Sequence, residues 1–216
     1  MLLMRQVVLL GLRSVRRVGW MSDHNKIREV RSCESDRLAA TITLALCSDP
    51  STRWAMPDAN QYVRVLMPLV GAFGGQAALE HGTAHVIGDF LGAAIWLPPG
   101  VQPDAEAMGE IFARHVEKSH LEAVYALFEV MAEHHPQEPH WYLPLIGVDP
   151  AYQRRGLGSA LLRHALATCD RDQSLAYLES TNPVSVPLYQ RHGFEVIGEI
   201  VVGNSPPMFP MVRKPR

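Results

Sequence analysis

The sequence predicts an α/β or α+β fold in which helices flank a mixed sheet. Segments with strand-like and helix-like apolar periods alternate along the 216-residue chain. The C-terminal third has the order β-α-β-α-β-β. Hydrophobic residues make up 47% of the chain, which is enough for a sizeable buried core.

The N-terminal half supplies strands and helices in mixed order. Ser35 and Asp36 are residue types that cap helices, and Tyr62, Val65 and Leu69 recur at helical spacing. The elements predicted here are a strand within 26–33, a helix over 37–46, a polar loop over 47–60, a longer helix over 61–81 and a hairpin over 83–100.

The C-terminal half begins with two helices between residues 104 and 134, which we expect to break near Ser119 and His120. Pro144 cannot donate to a central ladder, so its strand is expected to carry a bulge or to splay from a neighbour, unless it is a plain edge strand. The later elements predicted are a strand over 141–148, a helix over 156–170, a strand over 175–180, a short helix over 184–191 and two final strands in "FEVIGEIVV" and "MFPMVRK".

Composition narrows the class of protein. The formal net charge is −2, which argues against a nucleic-acid partner, and no apolar run approaches the roughly 20 residues of a membrane span. The three cysteines form no CxxC pair, which indicates reduced thiols in a cytoplasmic protein. The oligomeric state is left open, with a homodimer as one option.

Residues 1–20 differ from the rest of the chain. They contain four arginines and no acid, whereas the remainder has 16 basic and 22 acidic residues. A targeting peptide is one interpretation, but the apolar centre is short and no A-x-A-like cleavage site follows. We favour a dispensable extension at 1–20 followed by a single domain over 21–216.

The stretch "VDPAYQRRGLGSALL" predicts an anion site. A helix that opens directly after a strand and a glycine loop presents unpaired N–H groups at the positive end of its dipole. Gly156 and Gly158 allow close backbone approach, and Arg154 and Arg155 add charge. The P-loop and dinucleotide fingerprints are both absent, so the loop alone also fits a solvent-facing turn.

Together with "YLESTNPVSVPLYQRHGFEVIGEI", this loop resembles the two signatures of the GNAT superfamily of N-acetyltransferases, in the right order and distance. "EPHWYLPLIGV", "GLGSALL", "WLPPG" and "MVRKP" resemble its puromycin N-acetyltransferase-like branch. The resemblance implies a GNAT-type mixed, splayed sheet of six or seven strands flanked by helices. It also implies acetyl-CoA as co-substrate and transfer to a primary amine of a small molecule. The coenzyme-binding residues that it implies are Ile146, Gly147, Val148, Gln153, Arg154, Arg155, Gly156, Leu157, Gly158, Ser159, Asn182 and Ser185.

The chemistry of amide formation suggests two catalytic groups. An alkylamine with a pKa near ~10.4 pays roughly 4–5 kcal/mol to be neutral at neutral pH, so a base is needed. Glu179, on the strand after the coenzyme loop, is the candidate base, and an ion-paired strand residue is the alternative. The resemblance makes Tyr189 the acid that protonates the leaving thiolate.

Asn182 and Ser185 compete for one polar position beside the coenzyme, because Pro183 shortens the connection that precedes the helix. His134, His135 and His140 suggest a metal site, but their spacing favours solvated loop histidines, so no metal is expected. Two other functions remain: a peptide or protein N-acetyltransferase and a non-catalytic acyl-CoA sensor.

Overall fold

The computed structural model describes residues 26–216. The extension predicted at 1–20 lies outside the described residues. The helices are α1 (Ser35–Ala45), α2 (Pro50–Ala55), α3 (Ala59–Val70), α4 (Gln76–His81), α5 (Ala105–His115), α6 (Lys118–Glu133), α7 (Leu157–Arg171) and α8 (Val186–Arg191). The strands are β1 (Ile27–Glu29), β2 (Ala84–Ile87), β3 (Gly92–Leu97), β4 (His140–Val148), β5 (Leu175–Ser180), β6 (Glu195–Val196) and β7 (Phe209–Arg213).

The strands form one mixed seven-stranded sheet in the order β1-β2-β3-β4-β5-β7-β6. The β4–β5 pair is parallel and the other pairs are antiparallel. β4 and β5 pair only over 140–142 and 175–177, after which β4 stays with β3 and β5 stays with β7. The sheet is therefore splayed between its two central strands, as the sequence predicts.

Pro144 lies at the start of the splay and inside a bulge. The β3–β4 register shifts between Ile95 and Leu97, which pair with Leu145 and Tyr142. Two residues of β4 thus oppose one residue of β3, and the proline needs no ladder partner there. Both features expected around this proline are present.

Apolar side chains cover both faces of the sheet. On one face, buried residues of α1, α3, α5 and α6 pack against β2, β3 and β4, whereas α7 and α8 pack on the other face. The register of the strands sends alternate residues to opposite faces, so Ile95 belongs to the first core and Trp96 to the second. The splay lies between these two cores.

The long helix predicted over 61–81 is interrupted. A wide π-type turn at 71–75 separates α3 from α4, and Gly74 adopts a φ of +123° that a residue with a side chain rarely adopts. The stretch Ala59–His81 is long and apolar enough to cross a membrane by length and composition. Its buried members, among them Val65 and Leu66, pack in the core beneath the sheet.

Several element boundaries differ from the sequence predictions. The N-cap of α1 is Glu34 rather than Ser35 or Asp36, because the Glu34 carboxylate pairs with Arg28 and Arg31 and starts the turn earlier. The predicted loop over 47–60 contains α2, whose N-terminus is capped by a side chain. The break predicted near 119–120 falls at 116–117, where the backbone is extended.

The final hairpin is also shorter than predicted. Only Glu195 and Val196 of "FEVIGEIVV" pair as a strand, and Ile200 adds a single bridge to Met208. Ile197 donates to the carbonyl of Pro210, but the proline has no N–H to return the bond. The ladder therefore ends after two residue pairs.

Candidate active site

A cleft of about 470 Å³ lies where β4 and β5 diverge. It is bounded by the ends of both strands, the start of α7, α8 and the segment after α1. Its lining brings together eleven of the twelve residues predicted to bind the coenzyme: Ile146, Gly147, Val148, Gln153, Arg154, Gly156, Leu157, Gly158, Ser159, Asn182 and Ser185. The twelfth, Arg155, does not line the cleft and instead holds its guanidinium over the Tyr152 ring at 5.2 Å.

The loop before α7 presents main-chain atoms to the cleft. Gly156, with a φ of +84°, is the N-cap of α7 and provides no capping side chain. The first N–H groups of the helix, at 157–159, are therefore left to a ligand at the positive end of the helix dipole. The Gln153 side-chain amide donates to the Val148 carbonyl at 3.2 Å and ties this loop to the end of β4.

Positive charge surrounds the α7 end of the cleft. Arg154 and Arg191 line it, and Arg163 donates to the Ser159 hydroxyl, which contacts His192 Nε2 at 2.7 Å. Burial and then the nearby arginines lower the pKa of His192. An uncapped helix start beside several arginines suits a ligand that carries phosphates.

Tyr189 lies at the inner end of this cleft, on α8. The side chain is buried, and its residue lines both the cleft and a second cavity. Burial, and next the Asp49 charge, raise the pKa of Tyr189 above its ordinary value, so the phenol keeps its proton at neutral pH. Asn182 precedes α8 and accepts a hydrogen bond from Val184 N, which fixes the turn into the helix.

The second cavity, of about 120 Å³, lies on the other side of Tyr189. Its wall is mostly apolar and comes from helices α2, α3, α5, α6 and α8 together with β4 and β5. The larger apolar side chains in the wall are Leu66, Leu69, Phe73, Phe112, Leu127, Phe128, Met131 and Met208. Glu179 and Tyr189 are the titratable groups among the described residues of this lining.

Glu179 is the buried charge of this pocket. Its side chain is 2% exposed, and its Oε1 lies 3.3 Å from Nε2 of His135. Within residues 26–216, no hydrogen-bond donor is aligned on that oxygen. Burial and then the Glu179 charge raise the pKa values of Tyr142 and Tyr177, which flank it. The candidate base Glu179 thus lies in the apolar pocket and does not line the larger cleft. Its Oε1 can accept a hydrogen bond from a bound donor.

The prediction that the loop histidines are solvated is wrong for His135. The chain turns back after α6 and packs this ring against Tyr142 and Tyr177, with centroid distances of 4.6 and 4.5 Å. The histidine side chain is 21% exposed. Spacing within "HHPQEPH" could not show this contact, because the aromatic partners come from β4 and β5.

Asp49 was not expected at the site. Its Oδ2 accepts from the Thr181 hydroxyl at 2.6 Å, and its Oδ1 accepts from Thr52 N at 2.9 Å. The carboxylate therefore caps α2 and also fastens the segment after α1 to the end of β5, at the edge of the cleft. The Asp-Pro-x-Thr order is a helix-start signature that could have revealed the cap, though not its distant partner.

Two other chemistries find little support in the described part of the chain. No group of three His, Cys, Asp or Glu side chains converges there in a way that could hold a metal ion. Cys33, Cys47 and Cys169 are free thiols, and none of the three lines either cavity. A cysteine nucleophile therefore has no place beside Tyr189.

Residues 105–194 match the family model described as the acetyltransferase (GNAT) family. An uncharacterized N-acetyltransferase of Schizosaccharomyces pombe is 23% identical over 204 residues, which cover 87% of this chain and 83% of that protein. The match therefore extends well beyond the segment that contains the glycine loop.

Solved structures share the fold at low identity. The structure described as histone acetyltransferase HPA2 and related acetyltransferase from Corynebacterium glutamicum superposes with a TM-score of 0.64 at 22% identity, covering 88% of this chain and 96% of the other. An agmatine N-acetyltransferase mutant gives 0.59 at 20% identity, covering 89% and 100%. A mosquito arylalkylamine N-acetyltransferase-like protein gives 0.59 at 17% identity, covering 88% and 99%.

The splayed sheet, the glycine loop and the family match together define an acetyltransferase. Residues 105–194 match the GNAT family, whose enzymes use acetyl-CoA as co-substrate. The resemblance noted in the two sequence signatures is thereby confirmed for this segment.

Proposed function

We propose that the protein transfers the acetyl group of acetyl-CoA to the primary amine of a small molecule with an apolar carbon body. The observation that carries this proposal is the position of Tyr189 between two unlike cavities. One cavity is polar and lies at a helix start, and the other is apolar with a single buried carboxylate. A thioester and an ammonium group would meet at this side chain.

The polar cleft suits the coenzyme. A volume of about 470 Å³, main-chain donors at 157–159 and arginines at its edge fit a long, phosphate-bearing molecule. Main-chain N–H groups of Ile146, Gly147 and Val148 are the candidate donors for the oxyanion that forms during transfer. When bound, acetyl-CoA would supply the activated acyl group.

The apolar cavity suits the acceptor. Its aromatic and aliphatic wall would bury a carbon body, and Glu179 would receive the ammonium group. A second cationic end, as in a polyamine or a guanidine, would find no further carboxylate among the described residues of the lining. This favours arylalkylamines and similar monoamines over agmatine-like acceptors.

The residues then divide the proton transfers between them. Glu179 takes a proton from the ammonium so that the nitrogen lone pair can attack the thioester carbon directly. Tyr189 donates a hydrogen bond to the sulfur as the thiolate forms. Full transfer from a phenol near ~10 to a thiol near ~8.5 is already uphill by roughly 2 kcal/mol, and burial of Tyr189 increases that cost. Hydrogen-bond donation is therefore its main contribution.

Thiol release from acetyl-CoA, measured with a panel of amines and peptides, tests the proposal. We expect turnover with phenethylamine-like monoamines, weaker turnover with agmatine, and none with peptides, which need an open groove. Tyr189→Phe should lower kcat at least tenfold and leave acetyl-CoA affinity unchanged. Acetyl-CoA binding without turnover of any amine would instead favour the acyl-CoA sensor, and peptide turnover would favour the peptide N-acetyltransferase.

Two finer assignments stay predictions from the sequence. Membership of the puromycin N-acetyltransferase-like branch rests on motifs such as "EPHWYLPLIGV" and "WLPPG". A cytoplasmic location rests on the use of cysteine. Fractionation of cells that express the full chain, with and without residues 1–20, would test the location together with the role of the extension.

A further inference from the structure

Two histidines form a chain that leads from Glu179 towards the surface. His135 Nε2 lies 3.3 Å from Glu179 Oε1, and His135 Nδ1 lies 3.2 Å from His140 Nε2. His140 Nδ1 lies 2.8 Å from the carbonyl oxygen of Glu138, in an exposed segment of the loop. The carboxylate is 2% exposed, whereas His140 is partly exposed.

The hydrogen-bond partners fix where the protons lie in this chain. The Glu138 carbonyl can only accept, so His140 carries its hydrogen on Nδ1 and has a lone pair on Nε2 when neutral. His135 must then donate from Nδ1, which leaves the lone pair of its Nε2 towards Glu179. Burial lowers the pKa of His140 and favours its neutral form.

Glu179 Oε1 and His135 Nε2 lie 3.3 Å apart, which is close enough for a proton to pass between them. A proton that Glu179 takes from a substrate must pass onward before the carboxylate can take another. The second ring, His140, lies on the side of His135 away from Glu179.

This inference rests on the proposed function, because acetyl transfer to an ammonium substrate requires a path by which a proton leaves the pocket. An ammonium substrate loses two protons when it becomes an amide, and only one of them ends on the departing thiol. The other must leave a pocket whose described lining offers Glu179 and Tyr189 as titratable groups. Tyr189 faces the sulfur side, which leaves Glu179 for the second proton.

We propose that His135 and His140 conduct this proton from Glu179 to solvent. An N–H bond of the ammonium breaks as an O–H bond forms on Glu179, and this proton passes to His135 Nε2. His135 then gives its Nδ1 proton to His140 Nε2, and His140 releases its own Nδ1 proton to water. Ring rotation restores the starting tautomers before the next turnover.

The surroundings of the chain isolate it from other charges. The titratable groups that face Glu179 are His135, Tyr142 and Tyr177, with His140 behind them. On β7, the residue paired with Glu179 is Pro210, which carries no charge. Both tyrosines have raised pKa values because they are buried beside a carboxylate, so they remain neutral and do not compete for the proton.

The test compares two amines of nearly the same shape. Phenethylamine enters as an ammonium ion near neutral pH, whereas its β,β-difluoro analogue is much less basic and enters largely neutral, with no second proton to lose. We expect His140→Gln to lower kcat about tenfold for phenethylamine and less than about twofold for the difluoro analogue. Equal loss with both amines, or no loss with either, would overturn the relay.

His134→Gln is the matched control. This neighbouring ring bonds the Val130 carbonyl through Nδ1 and packs against Gly198, outside the chain to Glu179. It should leave the ratio of the two rates unchanged. A change in that ratio as large as the one in His140→Gln would assign the effect to the loop fold and overturn the proposal.

Nitrogen NMR of the histidine rings tests the same chain without turnover. In the wild-type chain we expect His140 to be the Nδ1–H tautomer and His135 to carry a hydrogen on Nδ1. An Nε2–H tautomer at His140 would contradict the arrangement even if every variant fails to fold. Should the wild-type protein acetylate no amine, the proposed function fails, while this measurement still decides the geometry of the chain.

Discussion

The proposed coenzyme cleft and the proposed acceptor pocket meet at Tyr189 but draw on different parts of the polypeptide. The cleft is lined by the segment 146–159 together with residues after α1, the end of β5 and α8. The pocket is lined by side chains from five helices and two strands. Changes in the pocket should therefore alter the acceptor without altering coenzyme affinity, and changes in the loop should do the reverse.

The largest expected effect comes from the one charge of the acceptor pocket. Glu179→Gln keeps the shape of the side chain but removes the proton acceptor, so we expect kcat for an alkylamine to fall about 100-fold. Acetyl-CoA affinity, measured by titration calorimetry, should stay within about twofold of the wild-type value. Glu133→Gln, at the exposed end of α6, is the matched control. A large change in coenzyme affinity would show that the two sites are not independent.

A bulky side chain in the glycine loop should have a smaller effect, and this effect should be on acetyl-CoA affinity and not on the choice of amine. A Cβ at Gly158 would lie at ordinary contact distances of 3.7 and 3.8 Å from Leu188 and Val148. Gly158→Ala should therefore bind acetyl-CoA nearly normally, whereas Gly158→Leu extends into the cleft and should raise Kd at least tenfold, or about 1.4 kcal/mol. Relative kcat values among different amines should not change. Altered selectivity among the amines would contradict the independence of the cleft and the pocket.

The smallest expected effect is the difference in acetyl-CoA affinity between substitutions of Arg154 and of Arg155. Arg154 lines the cleft, whereas Arg155 does not line it and is held over the ring of Tyr152, a residue of the lining. Arg154→Gln should raise the acetyl-CoA Kd about threefold at low salt and less at high salt, because an exposed charge contact is weak and screened. Arg155→Gln should leave Kd unchanged. An equal effect of both would mean that general positive charge, rather than position, matters.

The same contrast explains how much the sequence could predict. Main-chain sites depend on a local order of glycines, so "QRRGLG" indicated an anion site, although only the second signature separated it from a solvent-facing turn. Pro144 indicated a bulge or a splay but fitted an edge strand equally well. Glu179 was predicted from its position on a strand. Its contact with His135 was not, because the two residues are brought together by the turn after α6 and the β4–β5 pairing.

Asp49 also shows that contacts between residues distant in the sequence could not be predicted. Its local cap on α2 follows from adjacent residues, but its bond to Thr181 joins positions 132 residues apart. The wall of the acceptor pocket is assembled in the same way, from side chains whose sequence separation hides their proximity. For this reason a local motif indicated the coenzyme, whereas the class of acceptor stays a prediction.

The short seam where β4 and β5 pair in parallel affects where substrates and protons can enter or leave the site. The seam pairs 140–142 with 175–177, and three of its members, His140, Tyr142 and Tyr177, surround the Glu179–His135 contact. In the proposed reaction the substrates would approach from the side where the strands part, whereas the histidine chain lies on the side where they join. Substrates would thus enter at one end of the β4–β5 pair and the proton would leave at the other, so that an occupied cleft does not block the departure of the proton.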